Sequence, residues 1–370
     1  MKFVKNGGKI IQKIIDTARK DGINKACISG NYEIEKTILL PSGFYLILEN
    51  CHLRLADNTF CNLITNENCR TEIGRTKAGT DRNITIEGRG TAILDGGNYN
   101  GLGERNSGKD GMPNISVNNT LLFANVDGFK ISGLSFRYQR WWAMNFLFCS
   151  HGKIRDIDFF SNPIIIDENG NEVIGFQNTM NQEPHLVKNG DGIDLRVGCH
   201  DIIIENITGF CEDDTIAFTG LPCDRGTQKM FAVEGACTDM YNLIVRNVNA
   251  CSYCAIVRLL NQGGVKLFNV LVDGVFDSSR ECEYMDRGGY GVRIGDTQMY
   301  GSRHSTEEEC FNITVRNVFT RAKQVLNIAG TMKQVVLENI RGFDGNEVFL
   351  VNDSNIPSEE LIKNSDKALF

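Results

Sequence analysis

One short pattern of apolar and polar positions recurs along most of the chain. It reads NITIEG at 83–88, GFKISGLSF at 128–136, HGKIRDIDFF at 151–160 and HDIIIENITGF at 200–210. It returns as YNLIVRNVNAC at 241–251, FNVLVDGVF at 268–276, FNITVRNVF at 311–319 and MKQVVLENIRGF at 332–343. Each copy alternates apolar and polar residues like a half-buried strand, bends at Asn, Asp or Gly, and continues as another short strand. A second strand series lies between these units: TLLFAN, MNFLFC, GIDLRV, TIAFTG, AIVRLL, GVRIGD, VLNIAG and EVFLVN. Ile193 to Ile216 is 23 residues and Leu326 to Val348 is 22. The longer steps, Ile216 to Ile256, Ile256 to Val292 and Val292 to Leu326, hold polar insertions such as 221–240 and 277–289.

A repeat of about 22 residues made only of strands and bends is too short for a strand–helix unit and too strand-rich for a leucine-rich repeat. It predicts an all-β fold, a single-stranded parallel β-helix whose coils stack and bury an apolar interior. Residues one period apart then become spatial neighbours at about 4.8 Å. An open coil edge invites aggregation, so covers are expected at both ends. Ile10, Ile11, Ile14, Ile15 and Ala18 fall at helical spacing and predict an N-terminal capping helix over 8–20. The tail 357–370, with Leu361 and Ile362, is expected to cover the other end. No linker interrupts the pattern, so residues 1–370 read as one domain.

Composition narrows the partners. A net charge of −7 argues against a nucleic-acid binder. No run approaches the ~18 apolar residues of a membrane span. The start, MKFVKNGGKIIQKIIDTARK, carries no apolar signal core or cleavage site, so a cytoplasmic location is expected, or secretion only if a signal was removed. Thirteen cysteines, an odd number, read as small buried hydrophobes rather than a disulfide framework. Cys251-Ser-Tyr-Cys254 is a C-x-x-C without a second pair at zinc spacing.

Two acidic clusters stand out through their register: Asn189-Gly190-Asp191-Gly192-Ile193-Asp194 and Glu212-Asp213-Asp214-Thr215-Ile216. Aligning Ile193 on Ile216 sets Asp191 beside Asp214 in the next coil, with Asp213 one residue along. Carboxylates this close repel and raise the pKa of some members. Interleaved cations or a bound Ca²⁺ would make the cluster structural. Acid–base chemistry on a sugar would make it catalytic. Spacing alone leaves both open.

NGDGID at 189–194 followed by EDDTIAF at 212–218 resembles the polygalacturonase family of glycoside hydrolases. LLPSGFYLIL (39–48), NITIEGRGTAILDGG (83–97) and LLFANVDGFKISGLSFRYQRWWAMNF (121–146) are similar to that family's cap and early coils. The resemblance implies an inverting hydrolase on a right-handed parallel β-helix of the pectin-lyase type. It implies Asp213 as general acid, with Asp191 and Asp214 holding and deprotonating the attacking water. It implies no metal or cofactor, and a pectin-derived or related oligosaccharide or polysaccharide, uronate-containing, as substrate. The family's supporting His is replaced by Cys254, and its R-I-K reads Arg293-Ile294-Gly295. None of His52, His151, His185, His200 and His304 falls at the missing position, although His185 lies six residues before Asp191. Arg293 is thus the retained cation for a carboxylate. Arg258, Arg196, Asp194, Tyr253 and Tyr290 complete the substrate-binding candidates. Trp141, Trp142, Tyr138, Tyr284 and Tyr300 are candidates for sugar stacking. The insertions 66–82, 97–119, 163–187, 221–240 and 277–309 are expected to wall a cleft.

Two other readings compete. A β-eliminating lyase or epimerase would place Ca²⁺ among the acids and use Arg258 or Arg293 as base. A non-catalytic carbohydrate-binding or phage-spike-like β-helix would trimerise along its coils; the oligomeric state is open.

Overall fold

The computed structural model describes residues 2–97, 119–139, 141–162, 164–166, 171–174, 190–223, 226–296, 300 and 303–363. Ten long strands and a final two-residue one form one parallel sheet and ten shorter strands form a second, each in chain order. Every coil therefore gives one strand to each sheet, which defines a right-handed parallel β-helix. A small antiparallel hairpin, Ile164–Ile166 with Glu172–Ile174, stands outside both sheets.

The bends expected at Asn, Asp and Gly lie inside single bent strands. Asn206, Asn247, Gly274, Asn317 and Asn339 occupy one register position on successive coils, all at positive φ. Asn tolerates that left-handed region better than other side-chain-bearing residues. Its amide then bonds along the stack: Asn247 Nδ2 donates to Asn206 Oδ1 at 2.7 Å, and Asn339 Nδ2 to Asn317 Oδ1 at 2.7 Å. A second ladder runs from Asn312 through Asn269 and Asn242 to Asp201. The sequence repeats Asn because each coil must turn the same corner.

Alternate residues face the interior. Ile193, Ile216, Val257, Val292 and Leu326 align across the shorter sheet, and Ile204, Val245, Val272, Val315 and Leu337 across the longer one, all fully buried. Each such burial is worth about 1.5–3 kcal/mol. Phe129 stacks on Phe146 with ring centroids 5.0 Å apart. Gly152 lies beneath Phe129, where a Cβ would come within 2.1 Å of the ring.

Two alignments shift. Ile216 pairs with Val257, not Ile256, and Leu326 pairs with Leu350, not Val348. Both strands, AIVRLL and EVFLVN, are nearly continuous apolar runs, so inward and outward positions look alike. Ile193 does pair with Ile216. The first helix spans Gly7–Lys20, with Ile11 and Ile15 fully buried and Ala18 packed against the core. Ile10 and Ile14 are exposed instead, because the helix turns only a narrow stripe toward the first coil. At the other end a short helix, Ser358–Leu361, buries Leu361, and Ile362–Lys363 pairs with the last long strand. No helix among the described residues is long and apolar enough to cross a membrane.

Candidate active site

Ile193 and Leu195 point inward, so Asp194 and Arg196 take the outer face of the shorter sheet. Successive coils place Asn145, Asp194, Ala217, Arg258, Arg293 and Asn327 in one line across it. Asp191 and Asp214 sit just before their strands. The Asp214 backbone N–H donates to Asp191 Oδ1 and to Asp213 Oδ1, each at 3.0 Å. The sequence register thus brings Asp191, Asp213 and Asp214 together.

Their environments differ. Asp214 is 1% exposed; its Oδ1 accepts the Ala255 N–H at 3.0 Å and its Oδ2 accepts Arg258 Nη1 at 3.3 Å. Burial pushes its carboxyl up to about 6 against the pull of Arg258. Asp191 is also buried. Burial first, and then the charges of Asp194, Asp213 and Asp214, hold it well above the carboxylate range. Asp213 is the more open member. Two carboxyls that favour a proton beside one that meets solvent form a set able to exchange protons near neutral pH.

Cys254 fills the place where the polygalacturonase pattern has His. Its sulfur and the nearest Asp213 and Asp214 oxygens lie within 4.8 Å of one another. Burial, followed by the charges of Asp214 and Asp213, keeps Cys254 a neutral thiol, and its S–H donates to the Asp214 carboxyl. Arg258 provides a positive charge at Asp214, with Nη1 3.3 Å from Oδ2. Ser252 Oγ braces the turn by donating to the Asp213 carbonyl at 2.6 Å.

The substrate-binding candidates divide. Asp194 is fully buried, accepting Thr219 Oγ1 at 3.2 Å and pairing with Arg196 Nη2 at 3.2 Å. Arg196 is 5% exposed, also donates to Asn145 Oδ1, and lies 3.7 Å over the Trp142 ring. Both are built into the floor and hold Asp191 and Trp142 in place rather than reaching for a ligand. Arg258 is committed to Asp214, with Tyr300 over its guanidinium at 5.4 Å. Arg293 is half-buried, lies next to Arg258 one coil on, and packs over Tyr290 at 5.2 Å without an ion pair among the described residues. Tyr253 is 42% exposed beside Cys254. Arg293, Tyr253, Tyr290 and Tyr300 are thus the side chains able to meet a ligand.

Other candidates fall elsewhere. Trp141 and Trp142 are buried and offer no open stacking face. Tyr138 packs on Phe160, and Tyr284 on Phe160 and Phe210, along the long sheet. His52, His151 and His200 lie on strands of that same sheet, paired with Asp95, Asp127 and Asp201. His304 contacts the Asp296 carbonyl. His185 and Asn189 lie outside the described residues. Insertions 66–82 and 221–240 meet one another, with the Glu234 N–H on the Arg75 carbonyl and Arg70 over Phe231.

No protein-family model matches the chain, and no curated protein matches it. Among solved structures it is similar to the tailspike protein of E. coli bacteriophage HK620 in complex with a pentasaccharide: TM-score 0.58, 13% identity, covering 98% of this chain and 62% of that one. It is also similar to the A-module of the Azotobacter vinelandii mannuronan C-5 epimerase AlgE4: TM-score 0.56, 11% identity, covering 95% of this chain and 77% of that one. At these identities the likeness establishes the fold alone: a right-handed parallel β-helix.

Proposed function

We propose that this chain is a glycoside hydrolase acting on an anionic, uronate-containing oligosaccharide through Asp191, Asp213 and Asp214. The observation that carries the reading is the convergence of these three carboxyls from adjacent coils, two buried with raised pKa and one open. Asp213, the most accessible, protonates the leaving glycosidic oxygen. Asp214, once ionised, deprotonates the water, and Asp191, which holds its proton, orients it. Arg293, next to Arg258 one coil on and without an ion pair among the described residues, suits a bidentate grip on a sugar carboxylate. The similarity to a tailspike in complex with a pentasaccharide supports a carbohydrate ligand.

Product stereochemistry needs its own measurement. Asp213 and Asp214 approach within 4.8 Å, whereas inverting enzymes space acid and base about 6.5–9.5 Å apart. The test is a digest of a uronate and neutral oligosaccharide panel by wild type and Asp213→Asn, read by mass spectrometry and by the anomer first formed. Saturated fragments from wild type alone support hydrolysis. Unsaturated fragments would assign a lyase, and intact but bound sugars a spike-like binder.

A further inference from the structure

Two thiols meet beside the bend where the long sheet gives way to an insertion. Cys251 is the penultimate residue of the strand Met240–Ser252 and is buried. Cys282 follows the 3-10 turn Ser279–Glu281 and is partly exposed. Neither is in a disulfide. Both line one surface cavity of about 230 Å³, together with Gly209, Asn249 and Ser278. Phe160, Phe210, Tyr284 and Met285 form an apolar wall around them.

The pair is polarised. Cys251 keeps its proton and donates it toward Cys282. That hydrogen bond, joined by the backbone N–H groups of Tyr284 and Met285, draws Cys282 well below an ordinary thiol. A low-pKa thiol that reaches solvent, in contact with a second thiol, has the two parts of an exchange centre: an attacking and a resolving sulfur.

We propose that Cys251 and Cys282 form a thiol–disulfide exchange site whose co-reactant is a small-molecule disulfide. The Cys282 thiolate attacks one sulfur of that disulfide; its S–S bond breaks, and one half leaves as a thiolate that takes a proton from solvent. Cys251 gives up its proton and attacks the mixed disulfide at Cys282; the second half leaves as a thiol. The small disulfide is reduced to two thiols, and the protein dithiol is oxidised to one Cys251–Cys282 bond. The bond formed would hold the two sulfurs, which already line one cavity, at about 2.05 Å.

The bond would staple residues 277–289 to the strand that ends at the candidate site. The far end of that segment already touches the site, with the Gly289 N–H on the Tyr253 carbonyl at 3.2 Å and the Tyr290 N–H on the Cys254 carbonyl at 2.7 Å. Oxidation therefore reports to the strand carrying Arg293. The exchange chemistry itself does not depend on the hydrolase reading.

The test uses the full reduced chain and oxidised glutathione, followed by acid quench, alkylation, digestion and peptide mass spectrometry. The expected result is a linked Cys251–Cys282 peptide pair and the loss of these two alkylatable thiols from the thirteen, reversed by dithiothreitol. Cys251→Ser should instead trap glutathione on Cys282, and Cys282→Ser should leave Cys251 unmodified. The proposal is overturned if exposed Cys27 and Cys237 take up glutathione while no linked pair forms. It is equally overturned if Cys282 in the Cys251→Ser chain stays free.

Discussion

Replacing Asp214 by Asn should stabilise the protein, and only above mildly acidic pH. The carboxyl is 1% exposed and its pKa rises from 3.8 to about 6. A raised carboxylate pKa means the folded state binds the proton more tightly than the unfolded state. The associated stability is fully present below pH 3.8 and is lost as pH rises through about 6. A shift of about 2 units at ~1.36 kcal/mol each makes ionised Asp214 cost about 3 kcal/mol of folding free energy. Asparagine never ionises and its Oδ1 can still accept the Ala255 N–H. Its amide N–H₂ faces Arg258, which offsets part of the gain, so about 2 kcal/mol is expected at pH 7.5 and about zero at pH 4. Asp191→Asn should gain more, since no cation pairs with Asp191 among the described residues. Urea unfolding followed by circular dichroism at pH 4, 5, 6 and 7.5 measures both gaps. A gap that does not change with pH, or an Asp214→Asn chain less stable than wild type at pH 7.5, refutes the burial-and-repulsion account.

Three further outcomes are expected. The acid limb of the kcat/KM profile should fall near pH 6, because Asp214 must ionise to act as base, and Arg258→Gln should move that limb upward by removing the cation that favours the carboxylate. Asp213→Asn should lower kcat by about 10²–10⁴ on a natural glycoside and far less on an aryl glycoside, whose leaving group needs little protonation; equal losses would remove Asp213 from the acid role. Gly152→Ala should cost about 1–3 kcal/mol in chemical denaturation because its Cβ meets the Phe129 ring, and an unchanged midpoint would show that the ring moves aside.

The architecture was legible in the sequence because each coil repeats the same strand–bend–strand pattern and turns its corner with Asn, Asp or Gly, whatever insertion follows. The Asp191–Asp214 pairing was legible because no insertion separates Ile193 from Ile216. After the insertion at 221–240 the register slipped by one, since AIVRLL gives no alternation to anchor it. The burial of Asp194 and Arg196 was not legible. It depends on Trp142, from the preceding coil, folding over the guanidinium. Asn145 in the same coil receives a hydrogen bond that a pattern of apolar positions cannot foretell. Cys251-Ser-Tyr-Cys254 offered a local motif, but the two sulfurs serve different neighbours. Cys254 turns to Asp214, while Cys251 meets Cys282 across an insertion. Spacing along the chain carries no trace of that second contact.

The most direct measurement of the central claim is cleavage of a uronate oligosaccharide in heavy-oxygen water by wild type and by the Asp191→Asn, Asp213→Asn and Asp214→Asn variants. The account predicts one solvent oxygen in each new reducing end with wild type and turnover collapsing in all three variants. Wild-type turnover by all three variants, or an unlabelled unsaturated product, would contradict it.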